Sequence, residues 1–84
     1  MPVDITLIKT TLKVLSNNAS RANLTEEVIA LDCETILRKP LATHQVKAAL
    51  AECTRHGWAI ERRDDFGLPV WNITMNGEMK LTTL

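Results

Sequence analysis

The residues of this sequence that could bind a metal ion lie near the end of its third predicted helix. Cys53 and His56 are three positions apart, so a helix would place them on one side. Cys33 or His44 could add a further ligand from elsewhere in the chain. Zinc needs four ligands, however, and its cysteines usually come as pairs at short spacing. Both cysteines lie inside helical patterns and fit small core residues better, so we expect no metal site and no cofactor.

Residues that could catalyse a reaction are scattered. Ser16 and Ser20 lie in a turn-forming stretch without a histidine nearby, and the three glycines form no phosphate-binding loop. The carboxylates are dispersed or stand at helix starts, and a chain of 84 residues has little room for an enclosed pocket. We therefore predict that the protein is not an enzyme.

One predicted helix, over 43–56, has a face with the side chains needed to bind a partner. Its apolar side holds four residues at helical spacing: Val46, Ala49, Leu50 and Cys53. The opposite side collects polar and basic groups with two alanines: His44, Lys47, Ala48, Ala51 and Arg55, with Gln45 and Glu52 at one margin. The small alanines would let the helix backbone approach another surface closely.

Two helices are predicted before this one. The first follows Asp4 and has an apolar stripe that Leu7 and Val14 widen: Ile5, Ile8, Leu12 and Leu15. The second begins after a cap at Asn23 or Thr25, and Pro40 is expected to stop it at Lys39. Its predicted core side is Val28, Ile29, Cys33, Ile36 and Leu37.

The third helix is predicted to begin with Thr43 as its cap and to end at Gly57. A β-hairpin should follow, with a turn at 64–67. Alternation points four side chains inward, from Trp58 and Ile60 on the first strand and from Trp71 and Ile73 on the second. Pro69 places the second strand at a sheet edge, and Thr74 caps a last short turn through Met79.

Composition predicts one small globular domain over residues 1–84. The hydrophobic fraction is 45%, the charged fraction is 24% and the formal net charge is zero. No basic leader opens the chain and no apolar run approaches the length of about 20 residues that spans a bilayer, so a cytoplasmic protein is expected. Between Leu41 and Arg63 there are four basic side chains against two acidic ones, while from Asp64 onward three acidic ones face Lys80 alone.

Three segments together resemble bacterial and archaeal winged helix-turn-helix regulators. They are Val46–Leu50 in the third helix, the basic strand at 56–63 after its glycine stop, and Trp71–Gly77, which ends in hydrophobic-Thr-x-x-Gly. The resemblance covers roughly residues 5 to 80. It implies an α+β fold, a winged helix-turn-helix in which a three-helix bundle carries a C-terminal two-stranded β-hairpin wing. The connection through 40–42 departs from the tighter turn usual in such proteins.

The resemblance implies binding to double-stranded DNA through helix 43–56, and hence transcription regulation. Gln45 would read adenine, Arg55 guanine, and the two alanines a thymine methyl, while Lys47 suits phosphate. Arg62 and Arg63 on the wing would meet the DNA backbone or minor groove. The full predicted contact set is Thr43, His44, Gln45, Lys47, Ala48, Ala51, Arg55, Arg62 and Arg63.

An alternative partner is another protein. Winged helices also serve as adaptors in larger assemblies, and zero net charge with acidic residues at the wing tip suits that role. Phe66 and Leu68 would then form the contact surface. A homodimer is a further expectation, since regulators of this fold often bind two-fold DNA sites, and it would form through the first helix or residues 79–84.

Overall fold

The computed structural model describes residues 4–20 and 24–84. In chain order the elements are α1 (Ile5–Asn17), α2 (Glu26–Leu37), α3 (Thr43–Arg55), β1 (Ala59–Arg63), β2 (Pro69–Ile73) and α4 (Met75–Thr83). The described chain is therefore an α+β structure with four helices and one antiparallel hairpin, which is compatible with a winged-helix fold. The predicted three-helix count and the C-terminal position of the hairpin are wrong, because a full helix follows β2.

Helix α1 is the element against which the others assemble, since α2, α3, α4 and β2 all pack against it. Asp4 caps it by accepting the N–H of Thr6 at 2.9 Å. The hydroxyls of Thr10 and Thr11 are satisfied inside the helix, where each donates to the carbonyl four residues earlier at 2.8 Å. Threonine can therefore be buried here without a lost hydrogen bond.

The core forms where α1, α2, α3 and the hairpin meet. Its buried members are Ile8, Leu12, Val14, Leu15, Leu24, Ile29, Cys33, Val46, Leu50, Cys53, Ala59 and Trp71. Two predicted core residues, Ile5 and Ile36, are exposed instead. Ile5 is the first residue of α1, whose buried face otherwise includes Thr10 and Thr11, whereas α2 fully buries only Ile29 and Cys33.

Helix α2 begins and ends through local backbone chemistry. Thr25 accepts the N–H of Val28 and is the cap, whereas the alternative cap Asn23 lies outside the described residues. The helix ends at Leu37, two residues before the predicted stop. Arg38 adopts a left-handed conformation with φ 56° there, so the turn is complete before Pro40 is reached.

Helix α3 begins one residue earlier than predicted and ends where predicted. Its cap is Ala42, so Thr43 is the first helical residue, and the predicted Thr43 cap is wrong. Gln45 takes over part of the capping by accepting the N–H of Ala42 at 2.9 Å, which is half of a capping box. At the other end Gly57 has φ 76°, and the N–H of Trp58 donates to Cys53 in a Schellman motif.

The hairpin is present between Gly57 and Thr74, as predicted, but the inward side of β1 is shifted by one residue. Ala59 lies opposite Ile73 and is buried, whereas Ile60 lies outward and is 50% exposed. Trp71 and Ile73 pack on the core as predicted, and Trp58, just before β1, is partly buried against it. Because side chains alternate along a strand, the shift exchanges the two faces of β1.

Helix α4 is held against the hairpin by Thr74 and Gly77. Thr74 accepts the N–H of Gly77 at 3.0 Å, and its own N–H donates to the Trp58 carbonyl at 3.0 Å. Gly77 packs so closely that a Cβ there would overlap the Trp58 carbonyl oxygen and lie 2.7 Å from Cγ1 of Ile73. The hydrophobic-Thr-x-x-Gly segment thus has a structural explanation, since it joins α4 to the wing.

Candidate nucleic-acid interface

Helix α3 buries one side and leaves the other open. Val46, Ala49, Leu50 and Cys53 are buried, and the seven predicted contact residues of this helix lie outside them, together with Thr54 and the partly exposed Glu52. All seven are exposed: Thr43, His44, Gln45, Lys47, Ala48, Ala51 and Arg55. The helical periodicity of the sequence therefore divides the helix correctly into a core face and an available face.

The centre of the exposed face of α3 includes two small side chains, and an exposed cation lies beside it. Ala48, Ala51 and Arg55 share a stripe, since they recur at helical spacing of three and four residues. Lys47 stands beside this stripe and is exposed, and it has no ion pair among the described residues. A flat backbone surface with a free ammonium at its edge can approach a polyanion closely.

Gln45 is not free in this structure. Its Oε1 accepts the N–H of Ala42, which leaves the amide N–H groups as its available donors. A bidentate contact with adenine would require Oε1 to leave this bond, so part of its binding energy would be offset by the lost cap.

Arg55 is also engaged. Its Nε donates to Oε1 of Glu52 at 2.7 Å and its Nη2 donates to Oε2 at 2.8 Å. Sequence reasoning placed Glu52 only at the margin of the face and assigned it no role. Its spacing of three residues before Arg55 is the signal that could have identified the pair.

The two wing arginines lie on opposite faces of the hairpin, because neighbouring residues of a strand alternate. Arg62 donates to Oδ1 of Asn72. Arg63 donates to the Gly67 carbonyl at 3.1 Å and lies 3.8 Å from Oε2 of Glu61. Arg63 therefore shares one side of the hairpin with Glu61, and Arg62 lies on the other side.

An open cleft of about 560 Å³ lies between the exposed part of α3 and the hairpin, beside their buried contact. Its residues include Leu50 and Trp71 with Lys47 and Arg55, but also the carboxylates Glu26 and Glu61. Sequence reasoning missed both acids as neighbours of the helix, because the register of β1 and the approach of α2 are set by tertiary packing. The cleft therefore carries both signs of charge.

The wing tip is ordered by a single carboxylate. Oδ1 of Asp64 accepts the N–H groups of Phe66 at 2.9 Å and Leu68 at 2.8 Å. Gly67 completes the turn with φ 78°. Phe66 is held at the tip with 89% of its surface exposed, and Leu68 is 53% exposed. Single exposed apolar residues are common, but two exposed apolar residues on a turn whose backbone is held by hydrogen bonds are a candidate contact surface.

The two cysteines considered as metal ligands are buried, and Trp58 lies between His56 and Lys80. Burial raises the pKa of the Cys33 thiol, and burial with nearby Glu52 raises that of Cys53 to about 12. Within the described part of the chain, no group of three or more metal-binding side chains forms a site. Trp58 stacks on His56 with ring centroids 4.4 Å apart, and the Nζ of Lys80 lies 5.3 Å from its ring centroid.

None of the helices described is both long enough and apolar enough to cross a membrane. In comparisons with known proteins, no family model, no curated protein and no solved structure matches this chain.

Proposed function

We propose that this chain is a winged helix-turn-helix protein that binds double-stranded DNA and regulates transcription. The observation that carries the proposal is the exposed face of α3, where Lys47 and Arg55 flank two exposed alanines directly opposite the buried stripe. A helix with such a face fits the major groove, whose floor a small side chain can approach. The hairpin follows α3 directly in the chain, which supports its proposed role as a wing.

The contacts divide into positioning and reading groups. Lys47 and one wing arginine contact phosphate and set the orientation of the protein on the duplex. Arg55, Gln45, Ala48 and Ala51 face base edges. Thr43 and His44, at the exposed start of α3, add hydrogen bonds to the backbone, because a helix N-terminus favours anions.

Charge limits how strongly this surface can bind. The formal net charge is zero, and Glu61 and Glu26 line the cleft beside α3. Few phosphates are therefore neutralised, and the affinity for random DNA should be modest and lost at moderate salt. Reading of base edges, rather than bulk charge, would have to supply the preference for a particular site.

A salt titration of duplex binding tests the proposal. Lys47→Ala should weaken binding to all sequences and lower the slope of log K against log salt by about 0.9, the value for one phosphate contact. Lys13→Ala removes the same charge from an exposed position on α1 and is the matched control, with the slope of the parent expected.

Two results would contradict the proposal. One is a parent protein that retains no random or genomic duplex at low salt. The other is an equal loss of slope in Lys47→Ala and Lys13→Ala, which would show that binding follows overall charge rather than the face of α3.

Recognition of another protein through the wing tip is the second candidate function. The specific observation in its favour is Phe66, which Asp64 holds in an exposed position next to Leu68. Asp64 and Asp65 beside it repel phosphate, so this end of the wing suits a protein better than DNA. This role would make the chain an adaptor or a subunit of a larger assembly.

A homodimer remains part of the proposal. Most of α1 is buried within the chain, which leaves little of it for a partner subunit. Residues 79–84 belong largely to α4, where Met75 and Met79 are exposed. Helix α4 is therefore the better of the two predicted surfaces, and a pair of chains would read a two-fold DNA site.

A further inference from the structure

The ion pair of Glu52 with Arg55 has the geometry of a support rather than of a loose surface contact. Oε1 of Glu52 accepts from Nε at 2.7 Å and lies 2.5 Å from Nη2, which also donates to Oε2 at 2.8 Å, so both carboxylate oxygens hold the Nε and Nη2 side of the guanidinium. The Glu52 side chain is only 24% exposed, whereas that of Arg55 is 67% exposed. The acid is therefore the anchored partner, and it fixes the plane of an arginine that extends into solvent.

This arrangement leaves Nη1 of the guanidinium available, whereas the outer N–H of Nη2 points to His56. Of its five N–H donors, the carboxylate occupies those on the Nε side. None of the described residues hydrogen-bonds Nη1, and the one other contact is Nη2 to Nε2 of His56 at 3.3 Å. The outer N–H groups on Nη1 and Nη2 are parallel, which is the spacing that O6 and N7 of guanine accept. A bidentate contact with guanine would replace the weak contact of Nη2 with His56.

The charge of the pair favours a base edge over a phosphate. Glu52 neutralises Arg55, so the pair gains little Coulomb energy from a phosphate and places a carboxylate near it. The outer donors remain, and they suit an uncharged acceptor edge. Ala48 and Ala51 share the stripe of Arg55 and are exposed, so the helix can come close enough for the arginine to reach that edge.

From this geometry we infer that Glu52 is a positioning residue, which holds Arg55 in the orientation that reads a guanine in the major groove. The inference rests on the proposed DNA binding. It adds which base is read, a guanine, and which residue orients the arginine that reads it, Glu52. Glu52 itself does not touch the DNA. A carboxylate on a DNA-binding helix would otherwise only weaken binding.

Selection from a library of duplexes with a randomised centre tests this role. The parent should enrich a guanine at one position, and Arg55→Ala should lose that preference by at least about tenfold. Arg55→Lys keeps the charge without the planar fork, so it should retain binding to random duplex and lose the same guanine. Glu52→Gln can keep one of the two supporting bonds, and we expect its guanine preference to fall at least about threefold at that position alone.

The controls separate positioning from charge and from stability. Glu78→Gln makes the same charge change on α4, which packs against α1, and should keep the preference of the parent. Thermal melting of Glu52→Gln checks that the fold is retained. If Glu52 acts only by repelling DNA, Glu52→Gln will bind all sequences more tightly with the guanine preference unchanged, and the inference is overturned. A parent that retains no duplex overturns the proposed function and this inference with it.

Discussion

Replacing Gly77 with alanine is expected to lower the free energy of unfolding by about 3 kcal/mol, the upper end of the usual cost of overpacking. The added methyl would overlap the carbonyl of Trp58 and press on Ile73, neither of which is a flexible side-chain end. Relief requires α4 to move away from the hairpin, which also strains the bond from Thr74 N–H to Trp58. Urea denaturation followed by circular dichroism measures the loss.

The other two glycines provide matched controls. Gly57 and Gly67 have positive φ angles, but a Cβ at either position would meet nothing within 4 Å. Alanine there incurs only the backbone strain of a left-handed conformation, about 1–2 kcal/mol. If Gly77→Ala proves no more destabilising than Gly67→Ala, α4 does not pack on the hairpin as described.

Trp71→Ala is expected to be the most destabilising of the aromatic substitutions, with a cost of about 3–5 kcal/mol. Trp71 lies in the core with 8% of its surface exposed, opposite Glu61 in the hairpin. Its backbone N–H donates to the carbonyl of Leu24 at 3.0 Å and joins β2 to the segment before α2. Alanine keeps this bond, so the expected loss comes from the indole side chain. Truncation would leave a large cavity between α3 and the wing, and a domain this small can be unfolded by it.

Trp58→Ala is the comparison within the same experiment. The sequence pattern gives the two tryptophans equal weight, but the structure separates them. Trp58 is only partly buried, between the core, His56 and Lys80. Its loss should therefore cost less than the loss of Trp71, and an equal or larger cost would contradict the burial assigned to both.

The sequence predicts well those features of the fold that depend on local chemistry. The spacing of apolar residues identifies α1, α2 and α3, Gly57 marks the end of α3, and 64–67 marks the turn. Features that depend on packing are predicted less well. The inward side of β1 is shifted by one residue at Ala59, because a strand of mostly charged residues contains little information about which face is buried.

The C-terminal helix shows the same limit. Thr74 was recognisable as a cap, but residues 75–83 have a weak apolar pattern and suggest only a short turn. Packing of Leu81 and Leu84 on the core and the close approach of Gly77 extend it into a helix. These contacts join residues far apart in the chain and could not be read from local spacing.

For the candidate site, the sequence predicts which side chains are exposed. It does not predict which of them are already hydrogen-bonded or ion-paired within the protein. Periodicity alone placed Lys47 and Arg55 on the open face of α3. The pairing of Arg55 with Glu52, the use of Gln45 in the cap and the position of Glu61 in the cleft depend on rotamers and tertiary contacts. These contacts decide which donors are available for binding. They make Arg55 a stronger candidate than Gln45 for reading a base edge.

The most direct test of DNA binding through α3 is to follow the backbone amide resonances of the protein while a short mixed-sequence duplex is added at low salt. We expect shifts in residues 43–55 and 61–63. These shifts should disappear as the salt concentration is raised, because the contacts include phosphates. An absence of shifts, or shifts confined to Phe66, Leu68 and their neighbours, would contradict the account and direct attention to a protein partner at the wing tip.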